Sequence, residues 1–129
     1  MILTVRTDKP EAEIGLYAGS AKVAYQQWHA HRELAETLHQ KIKALLDDQH
    51  EDWSDIAGIV LYKGPGSFTG LRIGAAVANT LAASLSVGVV GTSGTDWIDK
   101  GLQMLQNGDD HGVVVPEYGA GAHITAPKK

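Results

Sequence analysis

The chain opens with a short apolar run, Ile2 to Val5, which reads as a buried strand, and Asp8-Lys9-Pro10-Glu11 then supplies turn chemistry. Ala12, Ile14, Leu16 and Ala18 alternate with Glu13, Gly15, Tyr17 and Gly19, the pattern of a strand with one face buried. After Gly19-Ser20 a further run through Val23 and Tyr25 to about Trp28 completes an antiparallel meander. From Arg32 to about Asp48 the period becomes helical: Leu34, Leu38, Ile42 and Leu45 share one stripe, while Glu33, Glu36, Gln40, Lys43 and Asp47 face elsewhere. Ile56 to Tyr62 is apolar enough for a strand covered on both faces. Residues 69 to 85 then predict a helix about 25 Å long, Val87 to Val90 a buried strand, and Thr95 to Gln106 a last helix with Thr95 as its candidate N-cap. Beyond the turn at 107–112, Val113 to Val115 read as a final short strand and PEYGAGAHITAPKK as a Pro/Gly-rich tail.

This order predicts an α/β fold of the ribonuclease-H-like kind: a single lobe with a mixed five-stranded sheet, an antiparallel N-terminal meander, a parallel continuation and packed helices. Residues 1–112 form the expected lobe and 113–129 a short strand and C-terminal tail. A length of 129 residues, 43% hydrophobic and 20% charged, suits one core. Eleven Lys and Arg against fifteen Asp and Glu give a net charge of −4, opposite to the footprint of a free-standing nucleic-acid binder. Contact with RNA is therefore expected only indirectly, through a basic partner. The absence of cysteine excludes disulfides, thiolate nucleophiles and Cys-rich zinc sites. No apolar stretch approaches the length of a membrane span and the start does not read as a signal peptide, so a cytoplasmic protein without membrane contact is expected.

Candidate chemistry centres on KGPGSFTGLRIG, residues 63–74. A Walker loop would need Gly-Lys-Ser/Thr after four intervening residues, and here Thr69 stands five after Gly64 with no following Lys. A dinucleotide fingerprint would need GxGxxG and an acid at the end of the next strand; the spacing is GxGxxxG and no acid precedes Asp96. What survives is a helix N-terminus with Ser67 as N-cap, where Gly66, Ser67 and Thr69 are candidate anion-binding positions, or simply a tight turn into a helix. From Thr69 to Gly91 the only charged residue is Arg72, and Gly70, Gly74, Ala78 and Ala82 form a small-residue stripe. That stripe would let another helix approach closely, either the chain's own helix at 32–48 or a partner's. His29 and His31 are a candidate metal pair without a third ligand of supporting spacing, so no metal site is expected. Asp47, Asp48, Glu51, Asp52 and Asp55 read as a solvated acidic edge, and no catalytic constellation is visible.

KGPGSFTGLRIG followed by AAVANTLA closely resembles the signature of the TsaB (YeaZ-like) family, the dimerisation subunit of the bacterial tRNA threonylcarbamoyladenosine transferase complex. The resemblance runs from MILTV through the helix at 95–106. It implies the fold of acetate kinase, sugar kinases and Hsp70 (ASKHA), with two such lobes, and a non-catalytic role. The related TsaD is the enzyme, moving a threonylcarbamoyl group from threonylcarbamoyl-AMP to an adenosine of tRNA, with the ATPase TsaE supporting turnover. TsaB pairs with TsaD, and with itself as a homodimer, through its two principal helices. Carried onto this chain, these are the helices at about 32–48 and 69–85, with Phe68, Leu71, Arg72, Ala75 and Asn79 at the interface and Gly74, Ala78, Ala82 and Leu38 beside them. No resident cofactor is implied, though a nucleotide could lie at the partner interface.

Three features depart from the family. Arg6 stands where members usually carry an acid after the first strand; Leu34-Ala35-Glu36 stands near the family's usual first-helix His; and the sequence is about half the usual length, so only one lobe with little of a second is expected within it. An enzyme reading, a small nucleotide-binding phosphotransferase, would use Ser67, Thr69 and Asp8, and a third reading is a self-associating interaction module.

Overall fold

The computed structural model describes residues 1–30 and 33–118. Five strands form one mixed sheet in the order β3-β2-β1-β4-β5: β1 Ile2–Arg6, β2 Glu11–Ala18, β3 Ala21–His29, β4 Gly58–Tyr62 and β5 Gly88–Thr92. The meander pairs antiparallel, with Leu3 opposite Leu16 and Val5 opposite Ile14, and a bulge between Leu16 and Tyr17 displaces the β2–β3 register. β4 and β5 add in parallel, so helices must carry the chain back across the sheet. These are α1 Leu34–Asp48, α2 Phe68–Leu85 and α3 Trp97–Gln106.

Strand alternation sends Leu3, Val5, Ile14, Leu16, Ile59, Leu61 and Val89 to one face, where they meet Leu38, Ile42, Leu45 and Leu46 of α1 and Ala75, Ala78, Leu81 and Ala82 of α2. Val60, Tyr62 and Val90 point to the other face, where Trp97 and Leu102 of α3 cover them. Gly101 lets α3 lie directly on β4, because a side chain there would overlap Val60. Among the described residues no helix is long and apolar enough to cross a membrane.

Several expectations change. Val113 to Val115 form no strand; Val114 instead turns its side chain into the core. Asp96, not Thr95, is the N-cap of α3. The Arg32 end of the first helix lies outside the described residues, and the helix runs from Leu34. The largest correction concerns the small-residue stripe. Gly70, Gly74, Ala78 and Ala82 are all buried on the inner side of α2, where Gly70 and Gly74 meet Thr7 at the end of β1 and Ala78 and Ala82 join the core that the sheet shares with α1. A Cβ at Gly70 would overlap the carbonyl oxygen of Thr7, and one at Gly74 the Thr7 hydroxyl. That hydroxyl donates to the carbonyl of Gly70 at 2.7 Å, tying the first turn of α2 to the end of β1. Glycine is needed here for close approach of backbone to backbone.

The free side of β5 is finished by side chains. Val89 N–H donates to Asp110 Oδ1 at 3.1 Å and Gly91 N–H to His111 Nδ1 at 3.0 Å, while His111 N–H donates to the carbonyl of Val89 at 2.8 Å.

Candidate functional site: the glycine loop and the outer face of α2

The loop between β4 and α2 folds over the end of β1. Gly64 has φ +124, in the region that favours glycine, and the Tyr62 hydroxyl donates to the carbonyl of Pro65 at 2.8 Å. Ser67 N–H donates to the carbonyl of Asp8 at 3.2 Å, and Gly66 lies against the Asp8 side chain so closely that a Cβ would collide with it. Asp8 is held from the other side by Arg6, whose Nε donates to Oδ1 at 2.7 Å and Nη2 to Oδ2 at 3.2 Å. The Arg6 guanidinium also lies 3.9 Å from the centre of the Tyr62 ring. Burial works against the Arg6 charge, but the hydrogen bond and charge of Asp8 outweigh it and raise the Arg6 pKa above its ordinary value. On the neighbouring strands, burial and then Glu13 raise the Tyr25 phenol.

Asp8, the acid beside the glycine loop, is engaged by Arg6. The Asp8 side chain is only 6% exposed and both its oxygens face Arg6, so neither is presented to a metal or nucleotide. Ser67 occupies the N-cap position of α2, but its side chain caps nothing; the Ser67 carbonyl accepts from Leu71 N–H at 2.9 Å. Ser67 and Thr69 are exposed and edge a depression of about 420 Å³ that also touches Thr7, Lys9 and Leu34. Lys9, the cation among its described lining residues, is paired with Glu13 at 3.3 Å. Among the described residues no three His, Asp or Glu side chains converge as metal ligands. His29 lies 3.5 Å from Glu11, and His31 is outside the described residues.

The residues expected at a partner interface divide sharply. Leu38, Leu71, Gly74, Ala75, Ala78 and Ala82 are buried within the chain and form no surface for a partner, a correction that follows from the inward turn of the stripe. Phe68 and Arg72 remain outside; Phe68 is 51% exposed, with the Arg72 guanidinium 5.4 Å from its ring centre. Asn79 is half-buried and its amide is occupied by Val114, accepting from the Val114 N–H at 2.9 Å and donating to the Val114 carbonyl at 3.0 Å. The outer face of α2 therefore runs Phe68, Arg72, Ala76, Thr80, opposite the glycine stripe. Beside it a groove of about 320 Å³ between α1 and α2 is lined by His39, Ala76, Val77, Thr80, Leu81 and Ser84, with His39 stacked on Trp53 at 4.9 Å. Sequence reasoning missed Ala76, Thr80 and His39. The recurrence of Phe68, Arg72, Ala76 and Thr80 every four residues carried the signal, but an equally regular stripe on the other face concealed it.

The sheet order, with two helices on one face and one on the other, defines an α/β chain of the ASKHA kind, built as one ribonuclease-H-like lobe. The family model described as TsaD, tRNA N6-adenosine threonylcarbamoyltransferase, matches residues 23–122. The chain belongs to that family, on its TsaB (YeaZ-like) side. It is 44% identical over 52 residues to the tRNA threonylcarbamoyladenosine biosynthesis protein TsaB of Bacillus subtilis, a match covering 40% of this chain and 23% of that one. Its fold is similar to YeaZ from Pseudomonas aeruginosa, with a TM-score of 0.66 and 27% identity over 71% of this chain and 43% of the other. A second Pseudomonas aeruginosa structure, described as similar to peptidase YEAZ, matches equally well over 42% of its length. The chain thus spans less than half the length of these relatives.

Proposed function

We propose that this chain is a non-catalytic scaffold that docks a TsaD-like enzyme in the cytoplasm and supports threonylcarbamoyladenosine modification of tRNA, with a TsaE-like ATPase joining the assembly. The observation that carries the reading is the outer face of α2: Phe68, Ala76 and Thr80 are exposed around a single charge, Arg72, beside the groove against α1. A helix facing solvent usually carries more charge on that side, and a surface so depleted of it suits burial by a protein partner. The arrangement around Asp8 supports the non-catalytic part, because the acid nearest the glycine loop is neutralised by Arg6. With a net charge of −4, the lobe reaches tRNA through its partner.

The test is to mix the protein with the TsaD-like enzyme of its own organism and resolve the mixture by size-exclusion chromatography with light scattering. A complex burying about 1,200 to 2,000 Å² in total is expected. Two copies of this chain and no mixed species would instead assign the same face to self-association, and separate elution of both monomers would end the proposal.

A further inference from the structure

Residues 113–118 leave the turn after α3 and run back along the sheet to the start of α2, and the lobe is shaped to receive them. Asn79 holds the Val114 main chain at both its N–H and its carbonyl, as a neighbouring strand would. Val114 fills the space above Gly91, where a Cβ would overlap its side chain. Further along, the Glu117 carbonyl sits where a side chain at Gly64 would be, and Glu117 N–H donates to the Lys63 carbonyl at 2.7 Å. Lys63 Nζ pairs with the Glu117 carboxylate at 3.2 Å. The segment ends with Tyr118 against Phe68, ring centres 4.5 Å apart.

Two glycines and one asparagine, on β5, on α2 and in the loop between β4 and α2, are thus each accounted for by the same six-residue segment. We infer that residues 113–118 are a strap, latched by Asn79, which sets the shape of the glycine loop and joins Tyr118 to Phe68 as one aromatic anchor at the edge of the partner surface. Asn79 is then a positioning residue, acting on Phe68 through the strap and not by touching a partner. Arg72, beside Phe68, gives the anchor a positive flank, so the matching partner surface is an apolar pocket bordered by a carboxylate. The docking part of the inference rests on the proposed scaffold function; the latch does not.

Hydrogen exchange followed by mass spectrometry on the full chain tests the latch. In Asn79→Ala, amides of 113–118 and of 63–68 should both exchange about tenfold faster, with the centres of β1 and β4 unchanged. A second variant, Glu117→Pro, removes both the N–H donated to the Lys63 carbonyl and the carboxylate paired with Lys63 Nζ, and should loosen 63–68 even if Asn79→Ala does not fold. Faster exchange confined to 113–118, or none in either segment, would overturn the latch. Titration calorimetry against the TsaD-like enzyme tests the anchor: Tyr118→Ala should weaken binding about tenfold, as expected for an aromatic anchor. A complex of unchanged affinity overturns the anchor, whereas a wild-type chain that binds no enzyme overturns the scaffold function and leaves the exchange result to decide the strap.

Discussion

Gly74→Ala separates the two roles that the small-residue stripe could play. In a helix with its glycine facing solvent, this change stabilises by up to about 1 kcal/mol, because alanine has the higher helix propensity. Here the new Cβ meets the Thr7 hydroxyl, which is buried and donates to the Gly70 carbonyl. Overpacking costs about 1–3 kcal/mol, and displacing the hydroxyl so that it loses its acceptor costs about 1–3 kcal/mol more. After the propensity gain, a net loss of about 3 kcal/mol is expected, which for a domain of this size lowers the melting temperature by roughly 10 °C. The assay is thermal unfolding followed by circular dichroism, with Thr7→Ala as a second background. Thr7→Ala removes the atom that Gly74→Ala strikes, so in the Thr7→Ala background Gly74→Ala should cost little further stability. Gly70→Ala should not be rescued in that way, because its obstacle is the Thr7 carbonyl, which every residue carries. A Gly74→Ala protein that melts at or above the wild-type temperature, yet loses its partner, would refute the reasoning and return the stripe to the surface.

Phe68→Ala and Arg72→Glu should each reduce affinity for the TsaD-like enzyme by about 2 kcal/mol while shifting the stability of the free chain by less than about 0.5 kcal/mol; calorimetry and melting report the two effects separately. Asp8→Ala, which leaves Arg6 without its partner, should destabilise by about 2–3 kcal/mol in urea unfolding, and magnesium with ATP should leave the wild-type melting temperature unmoved. The Asp110 carboxyl is held below its ordinary range by hydrogen bonds from Gly112 N–H and Val89 N–H. Its contribution to stability is therefore present above the unfolded carboxylate pKa and is lost as pH falls through the lower folded value. Asp110→Ala should accordingly flatten the acid limb of a melting-temperature profile between about pH 5 and pH 2.

The fold was legible because its signals were local and redundant. Alternation in β2, the four-residue recurrence of leucines in α1 and the uninterrupted apolar run of β4 each identify their element, and their order is that of a mixed sheet with an antiparallel start and a parallel continuation. The orientation of α2 was not legible, for a physical reason. A helix with one charge offers two faces of similar hydropathy, and what decides between them is contact with Thr7, a residue 63 positions away along the chain from Gly70. Val113 to Val115 were read as a strand because three valines in a row favour extended backbone; they form none, and the Val114 main chain pairs instead with the side-chain amide of Asn79 on α2. Gly64 and Gly66 were read as part of a tight turn or of an anion-binding helix start; the main chain of Glu117 and the side chain of Asp8 that occupy their empty sides belong to distant segments that no local pattern exposes.

The treatment of β5 bears on how this molecule keeps apart from its own kind. A parallel strand at the border of a sheet offers a row of donors and acceptors that any extended chain can adopt, the geometry from which fibrils grow. On β5 the N–H groups of Val89 and Gly91 and the carbonyl of Val89 are taken by Asp110 and His111, one carboxylate, one imidazole and one main-chain N–H in place of a sixth strand. This flank of the sheet is thus insulated by the chain itself against pairing with a second copy.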